Sequence, residues 1–187
     1  NKLTLVLAQS VSHEKRYNDL GVPRNAIKVC GSVKFDINSL DSFHHPEIQS
    51  FINNKFILAA STHEGEDEIV LDSFIEVQKS IPDLRLVIVP RHPERALSIQ
   101  KLAKNKSFST SIESRDINID SQILIIDSIG KMSLLYKSAQ AAFVGGSLVD
   151  RGGHNIIEPA SLGCPIIIGP HTFNFESIAK EFIDTKS

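Results

Sequence analysis

A Rossmann-like α/β fold, with a parallel sheet covered by helices on both faces, is what three features of this sequence predict. Short, almost continuously apolar runs recur along the chain, the pattern of strands buried on both faces. Amphipathic stretches of helical length lie between them, and alternation of this kind implies parallel strands joined by crossover helices. Glycine-rich and polar segments gather where the apolar runs end, which is the edge at which open α/β sheets bind ligands.

Composition sets the outer limits. The 187 residues are 41% hydrophobic and 22% charged, an ordinary globular make-up with enough apolar material for one well-buried domain. A formal net charge of -2, with Lys and Arg scattered along the sequence, leaves no electrostatic footprint for nucleic acid. Cys30 and Cys164 make no metal-ligand spacing and read as free thiols of a reducing compartment. No run reaches bilayer-spanning length and no cleavable leader is present, so a soluble chain is expected. It opens at Asn1 on a strand-like run and stops at Ser187 just after a helix, which predicts a piece of a longer protein.

Taken in order, Leu3 to Leu7 reads as a buried strand, Val11 to Leu20 as a helix stopped by Gly21-Val22-Pro23, and Ile27 to Cys30 as a second strand. These form one βαβ unit. Gly31 to Asp36 and the polar stretch Asn38 to His45 follow, and the latter is the expected linker. Further strands are expected at Phe56–Ala60, Leu84–Val89, Ile123–Ile126, Ala141–Val144 and Pro165–Ile168, with a short one at Phe108–Ser111. The matching helices are Gly65–Lys79, Glu94–Lys104, Lys131–Ser138, Asn155–Leu162 and Phe175–Ile183.

The strand ends carry the chemistry. After Ala141–Val144 come Gly145-Gly146 and then Gly152-Gly153, where missing Cβ atoms let backbone N–H groups approach an anion. Asn155 is placed to cap the next helix, with Pro159 tolerated in its first turn and Gly163 ending it. A glycine-rich turn feeding a helix start is an anion site, and Glu158, three residues beyond Asn155, can accept hydrogen bonds from ribose hydroxyls. The plain alternative is a tight turn with a capped helix. Ser61-Thr62-His63-Glu64 follow the strand at Phe56–Ala60, and their crowding suggests contact with a sugar or phosphate as readily as turn and capping roles. Glu66, Asp67 and Glu68 are explained by the helix dipole they meet. Arg91, set after a strand between Pro90 and Pro93, has a planar fork suited to phosphate, against a surface arginine paired with an acid. The Ser128-Ile129-Gly130-Lys131 turn is by itself only a turn. His63, Glu64, His154 and His171 match no metal-ligand spacing, and no nucleophile elbow is present.

Several rare strings occur in a fixed order: GSVKFD, STHEGEDEIVLDSF, PRHPER, GGSLVDRGGHNIIEPASLG and GPHTFNF. Through them the whole chain resembles the C-terminal half of the Kdo transferases, bacterial enzymes that move 3-deoxy-D-manno-octulosonic acid (Kdo) from CMP-Kdo onto lipid A precursors. The resemblance implies the C-terminal domain of a GT-B glycosyltransferase fold. Residues 1–36 would be the last βαβ piece of the N-terminal acceptor domain and the hinge, and 37–187 the donor-binding domain, truncated at its C-terminus. The family's CMP contacts fall on Pro90, Arg91, Ile129, Gly130, Lys131, Asn155, Ile156, Ile157 and Glu158. Its transition-state-stabilising lysine falls on Lys34. A secondary set for the donor sugar and phosphate comprises Ser61, Thr62, His63, Glu64, Gly145, Gly146, Ser147 and His154. The sequence departs from the family pattern at Ser32 and near Asp150 and Ile156, beside the proposed contacts.

The implied reaction is inverting transfer, with no cofactor and no metal. The general base, the lipid acceptor site and membrane attachment on the cytoplasmic side of the inner membrane would belong to the missing N-terminal domain. Isolated, the chain would bind donor without catalysing transfer. Two rivals stand beside this reading, a UDP-sugar 2-epimerase-like enzyme of the same architecture and a non-catalytic nucleotide-binding module.

Overall fold

The computed structural model describes residues 4–9, 11–30 and 46–185. The chain divides into two compact units, Asn1–Asn38 and Ser39–Ser187. In the first, strands β1 (Val6–Ala8) and β2 (Ile27–Val29) pair in parallel, and helix α1 (Val11–Asp19) joins them with a 3-10 turn at Arg24–Ala26. This is the expected βαβ piece, with its first strand set slightly later than the apolar run suggests. The segment holding Lys34 and the expected linker lies outside the described residues.

The second unit is built on a six-stranded, wholly parallel sheet. Its strands are β3 (Phe56–Thr62), β4 (Arg85–Pro90), β5 (Thr110–Ile112), β6 (Ile123–Ile125), β7 (Ala141–Val144) and β8 (Ile166–Ile167), in the order β5-β6-β4-β3-β7-β8. Helices α2 (Pro46–Ile52), α3 (Glu66–Gln78), α4 (Ala96–Asn105), α5 (Met132–Ser138), α6 (Ile157–Ser161) and α7 (Glu176–Thr185) cover it. The expected fold class is what the structure shows.

Alternation along the strands explains the two layers. Phe56, Leu58 and Ala60 of β3, with Val87 and Val89 of β4, face Ile48, Phe51 and Ile52 of α2 and Leu135 and Tyr136 of α5. Ala59, Leu86 and Ile88 face the other way, onto Leu71 and Phe74 of α3 and Ala96, Ile99 and Ala103 of α4. Successive strand residues point to opposite faces, so each strand must be apolar throughout. That requirement is why the runs were continuous.

Three differences from the sequence expectations have physical causes. Helix α2, which was not foreseen, forms because Ile48, Phe51 and Ile52 sit at i, i+3, i+4 behind Pro46, so one helical face supplies core to the sheet. Helix α6 is only five residues long and starts at Ile157 instead of Asn155. Its start is delayed because Gly152 and Gly153 hold positive φ values of 80° and 74° and the chain is still turning. Strand β3 runs two residues further than expected, through a register shift between Ala60 and Thr62 where Ser61 takes a left-handed φ of 55°.

Sheet order locates the ligand edge. The chain leaves β3 toward β4 on one side, whereas β7 lies on the other, so the carboxyl ends of β3 and β7 form the topological switch point. If α2 is integral to this core, Phe51→Ala is expected to lower stability by about 3–5 kcal/mol. Urea unfolding of the chain measures this, and a loss below about 1 kcal/mol would show that α2 only rests on the surface.

Candidate functional site

At the switch point the chain makes its own anion cradle. Gly145 lies so close to β3 that a Cβ there would sit 2.3 Å from the Ser61 carbonyl oxygen, and Gly146 has φ 70°. This backbone points the N–H groups of Gly146, Ser147 and Leu148 toward α3. Their acceptor is the Glu66 carboxylate: Oε2 takes Gly146 at 2.8 Å, and Oε1 takes Ser147 and Leu148 at 3.0 Å each. The His63 N–H adds a fourth bond to Oε2, also at 2.8 Å. Glu66 is 0% exposed. A carboxylate can be buried there because four N–H donors replace its water.

This corrects two sequence expectations. The first glycine pair does receive an anion, but the anion is internal, so Gly145, Gly146 and Ser147 act as scaffold. Glu66 does more than face a helix dipole. Ser147 is fully engaged besides, since its hydroxyl donates to the Val144 carbonyl at 2.6 Å and accepts from the Gly169 N–H at 2.9 Å. Asp67 is buried as well, accepting from the Thr62 hydroxyl at 2.7 Å and forming an ion pair with Arg95. Thr62 therefore serves the sheet edge, with Arg95 and the Arg91 N–H both bonded to its carbonyl.

Other expected residues line the crevice around this frame. Pro90 is buried at the end of β4, and Arg91 and His92 beyond it are exposed. The His63 ring, partly buried, lies within 13° of parallel to that of His154 with centroids 5.0 Å apart, and the two meet edge to edge with their Nε2 atoms 2.7 Å apart. His92 meets His63 edge-on at 5.9 Å. Burial holds both His63 and His154 below the ordinary imidazole range. Arg151, His92 and Arg95 add to this at His63, and His63, Arg91 and His92 add to it at His154, while Glu66 opposes it at both. Ser61 is partly covered and Glu64 is exposed.

The turn after β6 and the start of α6 meet as well. The Ser133 hydroxyl donates to Glu158 Oε1 at 2.9 Å, which joins α5 to α6 and orients that carboxylate. Asn155 Oδ1 accepts the Ile157 N–H at 3.1 Å, so it steadies the helix start from one residue before the cap position, which Ile156 occupies in place of the expected Asn155. Ile156 and Ile157 bury their side chains in the core, leaving backbone as their means of contact with a ligand. Gly130 takes φ 93° and holds Ile129 out in solvent, 90% exposed. The Lys131 side chain is not free for a nucleotide: it is buried in an ion pair with Glu113 and bonded to Ser128. Among the described residues no group of three His, Cys, Asp or Glu side chains is placed to hold a metal ion. No described helix is long and apolar enough to cross a membrane.

No protein-family model matches the chain. The 3-deoxy-D-manno-octulosonic acid transferase of Haemophilus influenzae is 37% identical over 193 residues, spanning 100% of this chain and 45% of that protein. Among solved structures, the C-terminal CMP-Kdo binding domain of WaaA from Acinetobacter baumannii is 37% identical. It superposes with a TM-score of 0.68 over 75% of each chain. The chain belongs to the 3-deoxy-D-manno-octulosonic acid transferase family. It spans about half the length of the curated relatives it matches, in the C-terminal half of these Kdo transferases. The UDP-GlcNAc 2-epimerase of Neisseria meningitidis, 15% identical with a TM-score of 0.53 over 97% of this chain and 53% of its own, shares the fold alone.

Two tests follow from this Kdo transferase geometry. Glu66→Gln leaves one acceptor oxygen for four donors, and a stability loss of about 2–4 kcal/mol in urea unfolding is expected; a loss under about 0.5 kcal/mol would mean that water replaces the carboxylate. The lowered His63 and His154 values also fix a pH dependence. The unfolded chain takes protons near pH 6.5 and the folded chain only below that, so stability is fully present above about pH 6.5 and falls as the pH drops toward the folded values. The His63→Gln/His154→Gln double variant should flatten this slope in unfolding midpoints measured from pH 5 to 8, and an unchanged slope would refute the assignment.

Proposed function

We propose that this chain is the donor-binding half of an inverting glycosyltransferase that moves Kdo from CMP-Kdo to a lipid A precursor in lipopolysaccharide biosynthesis. The observation that carries this reading is the 37% identity to a domain described as CMP-Kdo binding. Three strand-end segments beyond β4, β6 and β7 gather the corresponding residues on one sheet edge, which agrees with it.

In this reading CMP lies along that edge. The exposed Arg91 guanidinium takes the phosphate, and backbone groups of Ile129, Gly130 and Lys131 read the base edge. Glu158, oriented by Ser133 through one oxygen, takes the ribose hydroxyls with the other. Asn155, Ile156 and Ile157 shape the pocket beside it. Lys34 would meet the negative charge that develops on the departing phosphate. Inverting displacement needs a base at the acceptor hydroxyl and charge stabilisation at the leaving group, and it calls for no metal. The base and the lipid acceptor site are assigned to the N-terminal half of the longer protein. Association with the cytoplasmic face of the inner membrane is assigned there too.

Titration of the chain with CMP, UMP and AMP by ligand-observed NMR tests the reading. CMP-selective binding is expected, weakened about tenfold or more by Arg91→Ala and by Glu158→Ala, as suits loss of one charged hydrogen bond. Preference for UMP would overturn the cytidine assignment in favour of epimerase-like chemistry.

A further inference from the structure

His63 follows β3 and His154 lies in the loop after β7, so their rings reach the switch point from its two sides. Their Nε2 atoms meet at 2.7 Å. One hydrogen lies between the two nitrogens, and the tautomer of one ring therefore sets that of the other. In the neutral pair, the ring that donates through Nε2 has a bare Nδ1, and the ring that accepts through Nε2 carries Nδ1–H. Outwardly the pair offers one acceptor and one donor. A single added proton fills the bare Nδ1 and leaves the Nε2 contact intact, so the pair then offers two donors and one positive charge. A second proton would set two N–H groups against each other across the 2.7 Å contact and break it.

We propose that the His63–His154 pair is a one-proton receptor for an anionic oxygen of the donor, phosphate or sugar carboxylate, and that donor binding draws the proton onto it. This rests on the reading that the switch-point crevice holds a CMP-linked acidic sugar. Burial, with the groups facing the pair, explains why it is empty of charge beforehand. Toward His63 are Glu66 of α3, Arg151 of the loop after β7, and His92 and Arg95 beyond β4. Toward His154 are Arg91, His92 and Glu66. Burial disfavours the charged pair first of all, and the arginines and His92 add to it against the opposing Glu66 carboxylate. An arriving anion reverses that balance and favours the protonated pair.

Linkage fixes the sign. Because the bound pair holds its proton to a higher pH than the free pair, affinity rises as pH falls between the two midpoints, by up to about tenfold per pH unit. Below the free midpoint and above the bound one it is level.

The test follows the imidazole Hε1 resonances of the 187-residue chain from pH 5 to 8.5. His63→Gln and His154→Gln identify the two signals by each removing one. The probes are CMP, cytidine, and CMP with Kdo added. In the free chain the two rings are expected to titrate together with a midpoint below pH 6.5. A rise of about one pH unit or more with CMP, absent with cytidine, supports the proposal and assigns the phosphate as the anion. The same rise appearing only once Kdo joins CMP supports it and assigns the sugar carboxylate. In His63→Gln, the His154 midpoint should move up toward the ordinary imidazole value and lose its response to ligand; a full response there would overturn the pair as the receptor. Midpoints that stay in place while other signals report CMP binding would overturn the proposal and leave the nucleotide reading standing. Failure of the folded chain to bind CMP would overturn both.

Discussion

A buried carboxylate with no ion-pair partner among the described residues has to be solvated by the backbone, and at Glu66 this requirement shapes the ligand edge. Four N–H groups, from His63 at the end of β3 and from Gly146, Ser147 and Leu148 after β7, converge on its two oxygens. Such an arrangement is strong because each bond is charge-assisted in a medium that excludes water. It also ties together the two strands between which the sheet changes direction. Gly145 must then lie against the Ser61 carbonyl, a closeness that only a residue without Cβ permits. From the same loop the Gly153 N–H bonds back to the Gly146 carbonyl at 2.7 Å, and the next residue is His154. The contact between His63 and His154 thus descends from the burial of Glu66.

A second buried acid holds the other flank. Asp67 joins the Thr62 hydroxyl to the Arg95 guanidinium, so the residues after β3 and those after β4 cannot move independently. Adjacent residues at the start of α3 therefore serve the two sides of the crevice, Glu66 toward β7 and Asp67 toward β4. Breaking such a buried pair leaves an uncompensated charge, which costs far more than the intact pair contributes to stability. These bonds fix the start of α3 against the residues after β4, and fixed placement there suits groups that must meet a ligand with defined geometry.

The layers of the fold were legible because parallel strands buried on both faces leave a local mark, and all five longer apolar runs of the second unit became strands of one sheet. The spacing of Ile48, Phe51 and Ile52 behind Pro46 carried helix α2, but so short a stretch, set directly after the expected linker, was assigned no element. What the sequence does not display is who partners whom at the edge. Glu66 lies 80 residues before Gly146, and His63 lies 91 before His154. The glycines announced a cradle for an anion, but nothing local announces that the chain fills it itself. Lys131 shows the same limit: its place after β6 was evident, whereas its burial against Glu113, beyond β5, depends on the sheet order.

These pairings divide the polar groups of the crevice by the work they do. Thr62, Glu66, Asp67, Lys131 and Ser147 are buried and bonded within the protein, so replacing any of them would disturb folding and binding together. Arg91, on the open side, and Glu158, held through one oxygen only, are the groups with capacity left for a ligand. Between these sets lie His63 and His154, bonded to each other yet able to accept one more proton. Among the described residues, the groups left to meet an incoming anion at this edge include Arg91, Arg151 and this pair. In the proposed reading, selectivity for an acidic nucleotide sugar depends on a few groups held by a frame whose own charges are bonded within the protein.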